Sequence, residues 1–152
     1  MDIDAKWHKP IDLVPAEAFG YNVDLDAFPT EAGVYVFGRT WGDNSHPLYI
    51  GQSINLRARI KQHLDSVNLM KAIAEAASGQ RFVMVCTLNL KRGQQVDRVL
   101  GILERGLIDR ALTEGHELIN VHGTKTPTHS VSFQGNRTSE QISGRYIYVR
   151  VT

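Results

Sequence analysis

The sequence predicts an α/β domain: a small, mainly antiparallel sheet of three strands flanked by helices, with an extra strand or hairpin at the C-terminal end. Three observations carry this expectation. The runs Gly33-Val34-Tyr35-Val36-Phe37 and Leu48-Tyr49-Ile50-Gly51 are β-branched and aromatic, and the turn formers Gly42, Asp43, Asn44 and Pro47 between them suit a β-hairpin. Residues 81–88 (RFVMVCTL) are apolar on both alternating sets, as in a strand buried on two faces. Segments with the 3.6-residue period of helices follow both the hairpin and the buried strand.

Taken in order, residues 1–32 carry Pro10, Pro15 and Pro29 and scattered apolar side chains without a sustained period. They read as an arm packed on the domain, with a helical turn from Pro15 to Phe19. Residues 33–121 form the central unit. After the hairpin, whose loop is taken as 39–47, Ser53 and Asn55 can cap a helix whose apolar residues Leu56, Ile60 and Leu64 recur every four positions. Asn68 can cap a second helix over 69–78, with Leu69, Met70, Ile73 and Ala77 inward. The longest helix is expected over 94–114, closed by Gly115, with Val96, Leu100, Leu103, Leu107, Ile108 and Ala111 on one arc. Residues 117–121 (ELINV) read as a short strand or extended segment. Residues 122–152 are a polar, turn-rich extension of the same globule, with one strand at 130–133 and a half-exposed terminal strand at 145–151.

Composition sets the outer limits. The 152 residues suit one domain, and 42% hydrophobic with 22% charged residues is ordinary for a globular protein. The formal net charge of +1 means that any surface for a polyanion must be local. The single Cys86 has no partner for an internal disulfide and belongs to a buried strand, so it reads as an inert core thiol in a reducing compartment. An acidic Met1-Asp2-Ile3-Asp4 start and the lack of a long apolar run point to a cytoplasmic protein without a membrane segment.

Two features stand out. The first helix carries cations on both shoulders of its apolar stripe, with Arg59 and His63 on one edge and Arg57 and Lys61 on the other. The long helix carries Glu104 in the middle of its apolar arc, flanked by Gly101 and Gly106. Each glycine costs about 1 kcal/mol against Ala in a helix, which suggests that something approaches closely there.

These residues together resemble the GIY-YIG nuclease family. Gly33-Val34-Tyr35 is similar to the first signature tripeptide, Tyr49-Ile50-Gly51 to the second, and the likeness runs on through Gln52-Ser53, Asn55-Leu56 and Arg59. The resemblance covers about residues 33–121. It implies a GIY-YIG-like fold with Arg59 as the catalytic arginine, His63 as a recurrent site histidine, Glu104 as the metal-binding glutamate and Asn120 as the supporting asparagine. The longer hairpin loop, Gln52 in place of a lysine found in some members, and the two terminal extensions depart from the minimal module.

The implied activity is metal-dependent cleavage of DNA, single- or double-stranded. Glu104 would bind one Mg²⁺ or Mn²⁺, Arg59 would neutralise the scissile phosphate, and Tyr35 would act as general base or water-orienting hydroxyl, assisted by Tyr49 and His63. A phenol with an ordinary pKa of about 10 is a poor base, so that role requires nearby positive charge. Arg57, Lys61, Lys71, Lys91 and Arg92 are the candidate DNA contacts, and the chain would work alone, as a homodimer or in a larger assembly. Taken singly, each residue has an ordinary structural reading: strand tyrosines pack, Arg59 and His63 line a solvated helix face, Glu104 pairs with an arginine and Asn120 shapes a turn. Two other classes therefore stand beside the nuclease: a catalytically silent module of the same fold that binds nucleic acid or protein, and a small-molecule-binding or structural domain. The nuclease reading requires Tyr35, Tyr49, Arg59 and Glu104 to converge on one concave surface, and Glu104 on the opposite sheet face from Arg59 would end it.

Overall fold

A computed structural model of the chain describes residues 1–121 and 128–150. It is an α/β fold built on antiparallel strands, with four α-helices among the described residues. The hairpin strands are Gly33–Trp41 (β5) and Asn44–Ser53 (β6), and the doubly buried strand is Gln80–Asn89 (β7). β5 lies between β6 and β7, antiparallel to both. The hairpin is longer than its sequence suggests. The expected loop 39–47 is mostly strand, closed by a tight turn in which Gly42 has φ +61°, a conformation glycine adopts without a Cβ clash.

The N-terminal arm is the largest correction. Asp4–Trp7 (β1) and Ile11–Asp12 (β2) both pair with the free edge of β7, so the main sheet has five strands rather than three. Short strands hide from periodicity when every side chain of β1 is exposed. Pro15 does not begin a helix. It lies in Val14–Pro15 (β3), which pairs with Tyr21–Asn22 (β4), and a 3₁₀ turn at Leu25–Ala27 follows.

Helices cover both faces of the sheet. Leu56–Leu64 (α1), capped by Asn55, and Val67–Glu75 (α2), capped by Ser66 rather than Asn68, pack with Tyr35, Phe37, Val83 and Val85. Ala77 lies beyond the end of α2 and is exposed. Val96–Thr113 (α3) covers the other face, where Leu100, Ala111 and Leu112 meet Val34, Val36 and Ile50. No close approach explains its glycines: a Cβ at Gly101 or Gly106 would meet nothing within 4 Å. Residues 117–121 form turns rather than a strand, anchored where the Ile119 N–H donates to the Leu48 carbonyl at 2.8 Å.

Beyond this, Thr128–Ser132 (β8) pairs with Tyr146–Arg150 (β9) in a separate two-stranded sheet, and Arg137–Ser143 (α4), absent from the sequence reading, connects them. His122 and Val151 lie outside the described residues. No described helix is long and apolar enough to cross a membrane.

One buried cation joins the layers. Arg81, 6% exposed, donates from Nε to the carbonyl of Ile73 at 3.0 Å, from Nη2 to Ala76 at 2.9 Å and from Nη1 to Ala77 at 2.7 Å and Gly79 at 3.0 Å. The end of α2 thus has its unpaired carbonyls filled by a β7 side chain. Arg81→Met keeps much of the stem but leaves these acceptors without their donor. It should lower stability by about 2–3 kcal/mol, a fall of several degrees in Tm. Thermal unfolding of the variant within a degree of the wild type would remove Arg81 from this role.

Candidate active site

The site is assembled where β5 and β6 run beneath α1. Tyr35 on β5 and Gly51 on β6 are directly opposed. A Cβ at Gly51 would collide with the Tyr35 hydroxyl and ring, so the absent side chain is what lets the tyrosine lie across the neighbouring strand. Gly33 is under a similar constraint from the Cys86 carbonyl and from Leu56, where a Cβ would stand 2.8 Å from Cδ1. Both signature glycines are therefore required by close packing.

The Tyr35 hydroxyl meets His63 Nε2 at 2.6 Å. The Tyr35 and Tyr49 rings are stacked, with centroids 6.3 Å apart and planes 13° off parallel, and the Tyr49 and His63 rings meet edge-on at 5.1 Å. A bulge helps to build this cluster. The register shifts after Phe37, so that Leu48 and Tyr49 both join the cluster on the α1 and α2 face while Ile50 joins the one beneath α3.

Burial dominates the protonation of this pair. Tyr35 is 1% exposed and His63 7% exposed. Desolvation pushes the Tyr35 phenol up to about 12, against the nearby Arg59 guanidinium, which pulls it down, while the charges of Tyr49 and Glu104 push it further up. Desolvation, aided by Arg59, lowers His63 to about 4. Near neutral pH the phenol keeps its proton and the imidazole carries a single N–H, so the hydrogen bond joins two uncharged groups. The lowering that a base role for Tyr35 requires is not supplied by Arg59 in the chain alone, where desolvation outweighs it.

The other site residues are more open. Arg59 is exposed on α1 and donates from Nη1 to Gln62 Oε1 at 3.0 Å. Glu104 is half-buried and its Oε1 faces Gln52 Nε2 at 3.4 Å. No ion pair among the described residues engages it. Asn120 donates to the Ile50 carbonyl at 2.7 Å and its Oδ1 faces the Ile50 N–H at 3.5 Å, clasping the exposed edge of β6. α1 and α3 cover opposite faces of the sheet, so the expected convergence of Arg59 and Glu104 on one face is not met, and this counts against the nuclease reading. Glu104 meets the edge strand at Gln52, and its charge acts on Tyr35.

Two of the expected nucleic-acid contacts have intrachain partners. Arg57 donates from Nε to the Phe28 carbonyl at 2.8 Å and lies 3.9 Å from Asp26, tying the N-terminal arm to α1. Lys91 lies 3.7 Å from Asp4 of β1. Lys61, Lys71 and Arg92 are exposed. Among the described residues no three His, Cys, Asp or Glu side chains gather to hold a metal ion. The part of Gln52 as the neighbour of Glu104 was not assigned from sequence, although Gln52 follows the second tripeptide directly.

A second group lies further along β6. His46 and His116 meet with ring centroids 5.0 Å apart, and His116 Nε2 is 3.6 Å from Glu114 Oε2. They border a cavity of about 600 Å³ that also reaches Arg39, Glu75 and Leu118. Neither histidine belongs to a sequence motif.

No family model matches the chain, and no curated protein or solved structure matches it either.

The protonation of His63 has a measurable consequence. Its folded pKa lies below the unfolded value of about 6.5, so the stability it contributes is present above pH 6.5 and is lost as pH falls towards 4. The full effect is of order 3 kcal/mol. Urea unfolding from pH 7 to 4 should show the wild type losing more stability than His63→Gln, and parallel profiles would contradict the assignment. Gly51→Ala should displace Tyr35 from His63, cost about 1–3 kcal/mol through overpacking, and flatten the same pH profile.

Proposed function

We propose that this chain is a metal-dependent endonuclease that hydrolyses DNA phosphodiester bonds at a site of the GIY-YIG type. The observation that carries the reading is the surrounding of the Tyr35 hydroxyl: Gly51 makes room for it, His63 Nε2 lies 2.6 Å from it, and its pKa is pulled down by Arg59 and pushed up by Glu104. The sequence placed these residue types in order, and their electrostatic proximity joins segments some 70 positions apart.

The division of labour follows exposure. Arg59, open to solvent on α1, holds the scissile phosphate through its fork of N–H donors and offsets the charge that develops on it. Tyr49 is the more accessible of the two phenols and orients the attacking water. Tyr35 and His63 are positioning residues: their buried hydrogen bond fixes the ring against which Tyr49 stacks. Asn120 holds the β6 edge that carries Tyr49 and Gly51. Glu104 fits a hard cation that keeps most of its own water, for which a single carboxylate suffices, and Gln52 steadies that carboxylate. Mg²⁺ or Mn²⁺ bound there would supply charge neutralisation and a more acidic water.

Burial of Tyr35 favours a second reading, a catalytically silent module that keeps the tyrosine for packing and binds nucleic acid or protein. Glu104→Gln separates the two. In a nuclease it should reduce Mg²⁺-dependent cleavage of labelled DNA by two orders of magnitude or more, while DNA binding persists and unfolding without metal changes by less than about 0.5 kcal/mol. Cleavage that is equal in both proteins, or absent in the wild type with every strand form and both metals, would leave the silent module standing.

Because Arg57 and Lys91 are engaged within the chain, Arg59, Lys61, Lys71 and Arg92 are the cations left from those expected for phosphate contact. Binding should weaken with salt at a slope matching about three to five released counterions. A flat salt dependence would favour a protein or small-molecule partner.

A further inference from the structure

The C-terminal hairpin turns a row of aromatic side chains outwards. Tyr146 and Tyr148, two apart on β9, share one face and are 63% and 50% exposed, while Ile147 and Val149 on the other face are 39% exposed each. Across the ladder, Tyr146 faces Ser132 and Tyr148 faces Ser130. A serine is too small to cover a phenol ring, and each tyrosine keeps half or more of its surface exposed. Arg145 at the strand's start is exposed and pairs with Glu140, Nε to Oε1 at 3.0 Å, and Arg137 on α4 is exposed. Residues 128–150 hold three arginines against the single carboxylate of Glu140. β9 packs against α3, the helix that carries Glu104.

We infer that this hairpin is a stacking platform for unpaired bases, which feeds single-stranded DNA to the candidate site. The inference rests on the nuclease reading above and names its substrate class. Rings on alternate strand residues stand about 7 Å apart, roughly twice the rise between stacked bases, so one strand can lay bases on both rings only by opening its stack. A duplex keeps its bases stacked and paired, whereas a single strand gives up little to open them. Open aromatic rings among arginines and hydroxyls are the chemistry of such platforms, and the excess of arginine suits a phosphate backbone. α3, with 18 residues, is about 27 Å long, so platform and Glu104 lie within the span of one short oligonucleotide.

The test uses the full chain with Glu104→Gln in every protein, so that the probes survive. Binding is measured for a 20-nucleotide oligo-dT, a 20-base-pair duplex and an abasic strand of equal length, before and after adding Tyr146→Ala and Tyr148→Ala. Affinity for oligo-dT should fall about ten- to a hundredfold, with duplex and abasic binding changed less than about threefold. Tyr146→Phe with Tyr148→Phe should retain binding, because the ring and not the hydroxyl carries it. An equal loss on all three probes, or no loss on oligo-dT, overturns the platform while leaving the nuclease reading intact. A wild type that neither binds nor cuts any probe overturns both. Sedimentation of the alanine variant as a monomer where the parent is a dimer would overturn the platform too, by assigning the tyrosines to contact between copies.

Discussion

The contact between Tyr35 and Gly51 is the constraint around which the rest of the site is arranged. A tyrosine in the middle of a central strand normally projects away from the sheet, with a neighbour's side chain beside it. Here the neighbour has none, and the ring crosses it to bring the hydroxyl to His63 at 2.6 Å. That hydrogen bond ties β5 to α1 at the turn carrying Arg59 and His63, and the stacked Tyr49 ring adds β6 to the same knot. Two strands and a helix are thereby held in register by one residue that has no side chain.

The electrostatics of the site are a contest between burial and charge. A guanidinium close to a phenol would lower its pKa in water, yet around Tyr35 the loss of solvent prevails and the proton stays on. The same desolvation keeps His63 neutral. The buried pair is therefore an uncharged support, and in the proposed nuclease the chemistry would fall to the groups nearer the solvent: Tyr49, Arg59 and Glu104. Such a division suits a phosphodiester hydrolase, in which positioning and charge compensation outweigh covalent chemistry by the protein.

The extensions outside the central unit have distinct physical tasks. β1 and β2 pair with the β7 edge, which would otherwise offer a row of unpaired backbone groups to other chains. Arg57 fastens the end of this arm to α1 through the Phe28 carbonyl, so a cation that sequence pattern gives to DNA serves the fold. The hairpin of β8 and β9 remains a two-stranded sheet beside α3, with its tyrosines outward.

The sequence by itself determined the main strands and helices of the central unit, because alternation and helical period are local properties, but not the length of the hairpin, the cap of α2 or the turns at 117–121. The hairpin, α1 with its Asn55 cap, the two-face burial of β7 and the span of α3 could all be read from residues within a few positions of one another. The order of tripeptides, Arg59, Glu104 and Asn120 also named the candidate site residues. Only the tertiary structure decided what depends on contacts between distant segments. The pairing of the arm with β7 cannot be seen in exposed strands of two to four residues. The cap that Arg81 places on α2 comes from another element. Above all, the protonation of Tyr35 depends on how much water the assembled layers exclude, and neither residue type nor spacing carries that quantity.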